Sequence, residues 1–175
     1  YDQVLDTAVT LGAVPERFGG PFDIAGSDAD ALGSYFTMAR GGNGVPALEL
    51  TKWFDTNYHY LVPELDADQG FRYSSKATAA QVREALALGI ATRPVVIGPL
   101  TFLRLAKRTD GGDTIELLDA ILPAYVDWLT DLVASGAKSP SIVSWPAASS
   151  PPGMIDTPSS IVSEAVAVRT PDPAR

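Results

Sequence analysis

The chain has 175 residues, 46% of them hydrophobic, with a formal net charge of −8, one histidine and no cysteine. Those totals suit a globular domain with a packed core, and they exclude disulfides, thiolate nucleophiles and thiolate metal sites. So acidic a balance argues against nucleic acid, whose phosphates reward clustered Lys and Arg, and no run reaches the roughly 20 apolar residues of a membrane span.

In chain order, Tyr1 to Leu11 places Val4, Leu5, Ala8, Val9 and Leu11 on one broad side of a helix, which Gly12 and then Pro15 end. A chain that opens inside such an element is expected to be truncated, and Tyr1-Asp2-Gln3 has no secretory signal character, so a cytoplasmic location is expected. After the Gly19-Gly20-Pro21 loop, Asp28 to Ala39 carries Leu32, Tyr35, Phe36 and Ala39 at helical spacing, with Ser27 or Asp28 as its cap. Gly41-Gly42-Asn43-Gly44 precedes a strand rather than following one, so it reads as a linker and not as a phosphate cradle. Ala47 to Phe54 then reads as a short strand rich in bulky residues.

Further on, Thr78-Ala79-Ala80-Gln81 has the form of a capping box, with Val82, Leu86 and Ile90 as an apolar stripe and Gly89 as the stop. Pro94 to Pro99 is a brief apolar run of the kind that a strand covered on both faces shows. The longest helix is expected over Asp113 to Ser135. Asp113 caps it, Glu116 completes a box, a stripe runs through Ile115, Leu118, Leu122, Tyr125, Leu129 and Leu132, and Pro123 kinks it. Strands and helices in this rhythm predict an α/β fold with a parallel sheet, whose chemistry sits in loops after strand ends. From Lys138 the rhythm stops: residues 138–175 hold seven of the 14 prolines and many serines, and little order is expected there. Short apolar pieces such as Ile142-Val143 and Ile161-Val162 are the places where such a tail could dock.

Catalytic zinc needs three protein ligands drawn from His, Cys and carboxylates, and His59 is the sole nitrogen or sulfur donor of the ligand type. A serine triad would have to recruit the same residue, and no G-x-S-x-G elbow is present. No catalytic residue and no metal ligand is therefore assigned.

The block Leu48-Glu49-Leu50-Thr51-Lys52-Trp53-Phe54-Asp55-Thr56-Asn57-Tyr58-His59-Tyr60-Leu61-Val62-Pro63-Glu64 resembles the signature of the amino-terminal domain of cobalamin-independent methionine synthases. Three more stretches resemble the same family in the same order: Val4 to Phe18, Arg93 to Lys107 and Leu117 to Tyr125. The resemblance covers about residues 1–137 and implies an incomplete (βα)8 TIM-barrel fragment, followed by a divergent tail over 138–175. It implies two face-to-face barrels in the complete enzyme, with zinc and homocysteine held by a carboxy-terminal barrel that has no counterpart here. No cofactor is expected on this chain. Where the family continues with an Asp-Glu-Pro strand after Gly136-Ala137, this chain reads Lys138-Ser139-Pro140-Ser141, as a frameshift or damaged gene end would leave it.

By the same resemblance, Lys52 aligns with a lysine that contacts the polyglutamate tail of methyltetrahydrofolate, a contact expected to be weak or lost in a fragment. Arg40, Arg104 and Lys107 read as surface charges, and Glu49, Glu64 and Asp66 as solvated or capping groups. Asp55, Asn57 and His59 lie just past the strand and form a possible supporting polar cluster; the preferred reading of His59 is a buried imidazole that fixes the loop. Trp53, Phe54, Tyr58 and Tyr60 read as core filling before pterin stacking. The expected function is thus a methyltransferase fragment that is not competent alone. The alternative is a non-enzymatic module that binds an acidic small molecule or a partner barrel.

Overall fold

The computed structural model describes residues 2–143 except 27, 43 and 54. Helix α1 (Gln3–Thr10) organises the packing. Asp2 caps it, its Oδ1 accepting from the Val4 and Leu5 amides at 2.9 and 3.1 Å. Six of the eight α1 residues are buried. Val4 and Ala8 face the larger core cluster, while Leu5 and Val9 face a second one with Phe18, Met38, Leu48 and Leu61. A helix apolar on two sides is a shared wall rather than a surface helix.

The turn that ends α1 needs Gly12. Its φ is +68°, and a Cβ there would meet the Ser74 Oγ at 2.7 Å. The close approach lets the chain return alongside α1, with the Arg72 amide donating to the Leu11 carbonyl and the Ser74 amide to the Thr10 carbonyl.

Helix α2 (Ala29–Arg40) starts at Asp28, whose side chain caps the Asp30 amide; the alternative cap, Ser27, lies outside the described residues. Its buried side chains are Ala31 and Met38, whereas Leu32 and Phe36 of the expected stripe are exposed. This helix packs on the second cluster through Met38 with Tyr35 and Ala39 of the expected stripe, so spacing alone set the covered side only in part. The linker behaves as expected: Gly41 at φ +70° ends α2, and Gly42 and Val45 exchange two backbone hydrogen bonds.

Within the expected strand over Ala47 to Phe54, β1 (Leu50–Lys52) pairs antiparallel to β2 (His59–Leu61). Strand β3 (Glu64–Leu65) pairs in parallel with β5 (Lys107–Arg108), and β4 (Val95–Ile97) with β6 (Ser141–Val143). The described strands thus make three two-stranded sheets amid helices, a mixed α/β arrangement.

Helix α3 (Ala77–Ala87) does not use the Thr78–Gln81 capping box, since Thr78 already lies within it. Its first amides are served by the loop before it. The Asp23 Oδ1 accepts from the Lys76 amide and the Ser75 hydroxyl, and the Ser75 Oγ takes the Ala77 amide. Of the predicted stripe only Val82 is buried; Leu86 and Ile90 are 38% and 56% exposed. Gly89 ends the element as expected, at φ +78°.

Helix α4 (Pro99–Leu105) follows β4 directly, with Gly98 as cap and Pro99 preset for the first turn. The β4 strand is not covered on both faces, because Val95 is 56% exposed. The predicted Asp113–Ser135 helix opens as a 3-10 turn over Thr114–Leu117 and continues as α5 (Leu118–Ala134), running through Pro123. Asp113 caps the Ile115 amide, but the Glu116 carboxylate pairs with Arg108 instead of closing a box. The buried face of α5 includes Ile121, Ala124 and Trp128 with Tyr125, Leu129 and Leu132, so Leu122 lies off it. The Tyr125 hydroxyl donates to the Ile97 carbonyl at 2.8 Å and ties α5 to β4.

Beyond Lys138 the expected docking piece Ile142-Val143 lies in β6. Ile142 packs on the larger core as part of β6, so part of the low-order stretch takes up a sheet position that only tertiary pairing defines. The Ile161-Val162 expectation falls outside the described residues.

Candidate functional site

Lys52 and the polar triplet lie together on one β-hairpin. In register, Lys52 is opposite His59, Thr51 opposite Tyr60 and Leu50 opposite Leu61. Directly opposed residues in an antiparallel pair project from the same side, which brings the Lys52 and His59 side chains to one exposed face. The ladder extends one step further, the Trp53 amide donating to the Tyr58 carbonyl at 2.7 Å. A turn then closes the tip: the Thr56 amide and hydroxyl both donate to the Trp53 carbonyl, and the Thr56 Oγ1 accepts from the Tyr58 amide.

The tip is held from below. Tyr60 is buried and its hydroxyl donates to the Leu105 carbonyl at 3.1 Å; burial, with the Glu49 and Asp2 carboxylates adding to it, raises its pKa above 10.0. Trp53, half-buried, sits edge-on to Tyr60 at 5.9 Å and to Tyr58 at 6.0 Å. Tyr60 and Trp53 fill the space beneath the tip, whereas Tyr58 is exposed and does not serve as the core filling expected of it; Phe54 lies outside the described residues. Asp2 reaches the same hairpin from α1, its Oδ2 accepting from the Leu61 amide at 2.7 Å. Sequence reasoning missed this residue, because a cap is legible locally while its second oxygen's partner is 59 residues away.

Asp55, Asn57 and His59 are all exposed, which overturns the buried-imidazole reading. The neighbouring tyrosines suggested an apolar setting, but alternation along β2 turns Tyr60 inward and His59 outward. The His59 Nδ1 lies 3.0 Å from the Asn57 backbone carbonyl and orders the tip locally. Among the described residues no hydrogen bond joins the three side chains to one another.

Other basic residues are differently placed. Lys107 Nζ is 2.7 Å from Glu49 and 4.0 Å from Glu64, and Arg17 is 2.6 Å from Glu64. Asp66 accepts from the Thr109 hydroxyl. The three acidic groups read as solvated or capping are therefore partnered. Arg40 lies over the Phe36 ring, its guanidinium carbon 5.5 Å from the ring centre. Lys52 has no hydrogen-bond or ion-pair partner among the described residues. An unpaired ammonium at an ordered, exposed tip is available to an external anion.

Among the described residues no group of three or more His, Cys, Asp or Glu is placed to hold a metal ion. No helix of the described residues is long and apolar enough to cross a membrane.

Residues 1–143 match the family model described as "Cobalamin-independent synthase, N-terminal domain". The chain belongs to this family. It is 53% identical over 150 residues to a 5-methyltetrahydropteroyltriglutamate–homocysteine methyltransferase of Chelativorans sp. (strain BNC1), covering 78% of this chain and 19% of that protein. Proteins of the same name from Xylella fastidiosa (strain 9a5c) and Streptomyces griseus are 52% and 55% identical. Those matches cover 79% and 78% of this chain and 18% of each relative. The chain therefore spans about a fifth of the length of the curated relatives it matches, and the family match runs through β6 to Val143.

Proposed function

We propose that this chain is part of a methyltransferase that makes methionine from homocysteine and 5-methyltetrahydrofolate polyglutamate, and that it carries a piece of the folate-tail surface. The supporting observation is Lys52: exposed, unpaired among the described residues, and set on a braced tip within the block most typical of the family. Glutamate tails present repeated carboxylates, for which an ammonium is a suitable partner. Asp55, Asn57 and His59 lie exposed beside it and are the polar groups that would support that surface, with the His59 ring on the Asn57 carbonyl. The two parallel strand pairs fit a piece of a (βα)8 barrel that other strands would complete.

A single histidine and no cysteine give no zinc site, so methyl transfer needs the rest of the complete protein. Supplied with zinc, homocysteine and methyltetrahydrofolate triglutamate, the chain alone should form no methionine; sustained turnover contradicts the reading. The non-enzymatic alternative, a module for an acidic small molecule or a partner barrel, predicts that any polyanion of equal charge competes as well as the folate conjugate.

A further inference from the structure

A second cleft, of about 300 Å³, lies between α1, the start of α3 and the segment entering β4, with Trp128 of α5 among its lining residues. Among the described residues, two buried side-chain polar atoms have no hydrogen-bond partner: Thr92 Oγ1 and Trp128 Nε1. Both residues line this one cleft. Trp128 is 3% exposed, so its indole N–H has no bulk water to turn to. Buried donors left without protein acceptors are rare in folded proteins, and two at one cavity point to a ligand that brings acceptors with it.

The cleft also carries one charge of each sign. Asp6 comes from α1, with its Oδ1 accepting from the Tyr35 hydroxyl at 2.6 Å. Arg93 comes from the segment before β4, and no partner holds its guanidinium among the described residues. Val82 and Val96, both buried, add apolar wall. We propose that this cleft binds a small α-amino acid with an apolar side chain. Trp128 Nε1, Thr92 Oγ1 and Arg93 take its carboxylate, Asp6 takes its ammonium, and the side chain lies against Val82 and Val96. Burial holds the Asp6 carboxyl above its ordinary 3.8, against the pull of the Tyr35 hydrogen bond, and an incoming ammonium relieves that cost. The cleft does not include the Lys52 tip, so the inference stands apart from the folate-tail reading.

The test is a heteronuclear NMR titration of the chain, following the indole N–H resonances of its three tryptophans, with L-leucine as probe. Isocaproate, which lacks the amino group, and isoamylamine, which lacks the carboxylate, are the controls. Leucine should shift the Trp128 resonance, identified by its loss in Trp128→Phe, along a saturating curve. Each control should bind about tenfold or more weakly, as loss of a charged hydrogen bond requires. Thr92→Val, isosteric and neutral, should weaken leucine while leaving the resonance dispersed. An unmoved Trp128 resonance overturns the site and means that water alone satisfies the two atoms. Equal binding of leucine and both controls also overturns it, reducing the cleft to an apolar hollow.

Discussion

Helix α1 and the β1–β2 hairpin meet through the Asp2 carboxylate and through packing on Leu61, yet α1 and the hairpin tip answer to opposite demands. Both sides of α1 are buried, against two clusters, so its side chains are fixed by packing. At the tip, Lys52, Asp55, Asn57 and His59 are all exposed and the backbone hydrogen bonds of the turn do the ordering. Stability therefore concentrates in α1, while the recognition we propose lies at the tip, and a substitution should move one property without the other.

The largest expected effect is at Leu5, 1% exposed. Leu5→Ala should cost about 2–5 kcal/mol in urea unfolding, as large-to-small changes in cores do. A loss well below that range would mean that the second cluster is loosely packed. Asp2→Ala should come next, at about 1–2 kcal/mol, since it removes a helix cap and also the acceptor of the Leu61 amide. Hydrogen exchange should then accelerate at Leu61 together with the first turn of α1. Acceleration in α1 alone would show that the helix and the hairpin are not coupled through this carboxylate.

Asp6 gives a pH signature. Its folded pKa is raised by burial, with the Asp2 charge adding and the Tyr35 hydrogen bond opposing, so the folded state binds the proton more tightly than the unfolded state at 3.8. This group's share of stability is thus highest below 3.8 and falls as the pH rises through the folded value. Asp6→Asn should flatten that fall in the urea midpoint measured against pH; an unchanged profile would place the dependence elsewhere. Smallest of all, Lys52→Ala should change stability by less than about 0.5 kcal/mol, as exposed unpaired positions do.

The elements differ in how much of them could be read from the sequence. Caps at Asp28 and Asp113 and the stop at Gly89 depend on neighbours in the chain, and the structure has them where local chemistry puts them. Faces were harder. Leu32 and Phe36 of the α2 stripe and Leu86 and Ile90 of the α3 stripe are exposed, because two separate clusters, rather than one sheet, decide which side of each helix is covered. Glu116 and Asp2 show the same limit at single residues, each spending its carboxylate on a partner that spacing within one helix cannot reveal. In the candidate site, the placing of Lys52 in a strand with Asp55 and Asn57 just past it was legible, whereas the return strand that begins at His59 was not. Nor was the exposure of His59, since it follows from which side of β2 packs on the core.

The central claim is that the Lys52 ammonium reads the glutamate tail, and calorimetric titration of methyltetrahydrofolate triglutamate into the chain and its Lys52→Ala variant tests it most directly. The account predicts that the variant binds about tenfold more weakly, in line with one charge-assisted contact, and that the gap narrows as salt is raised. Equal affinity in the two proteins would contradict it.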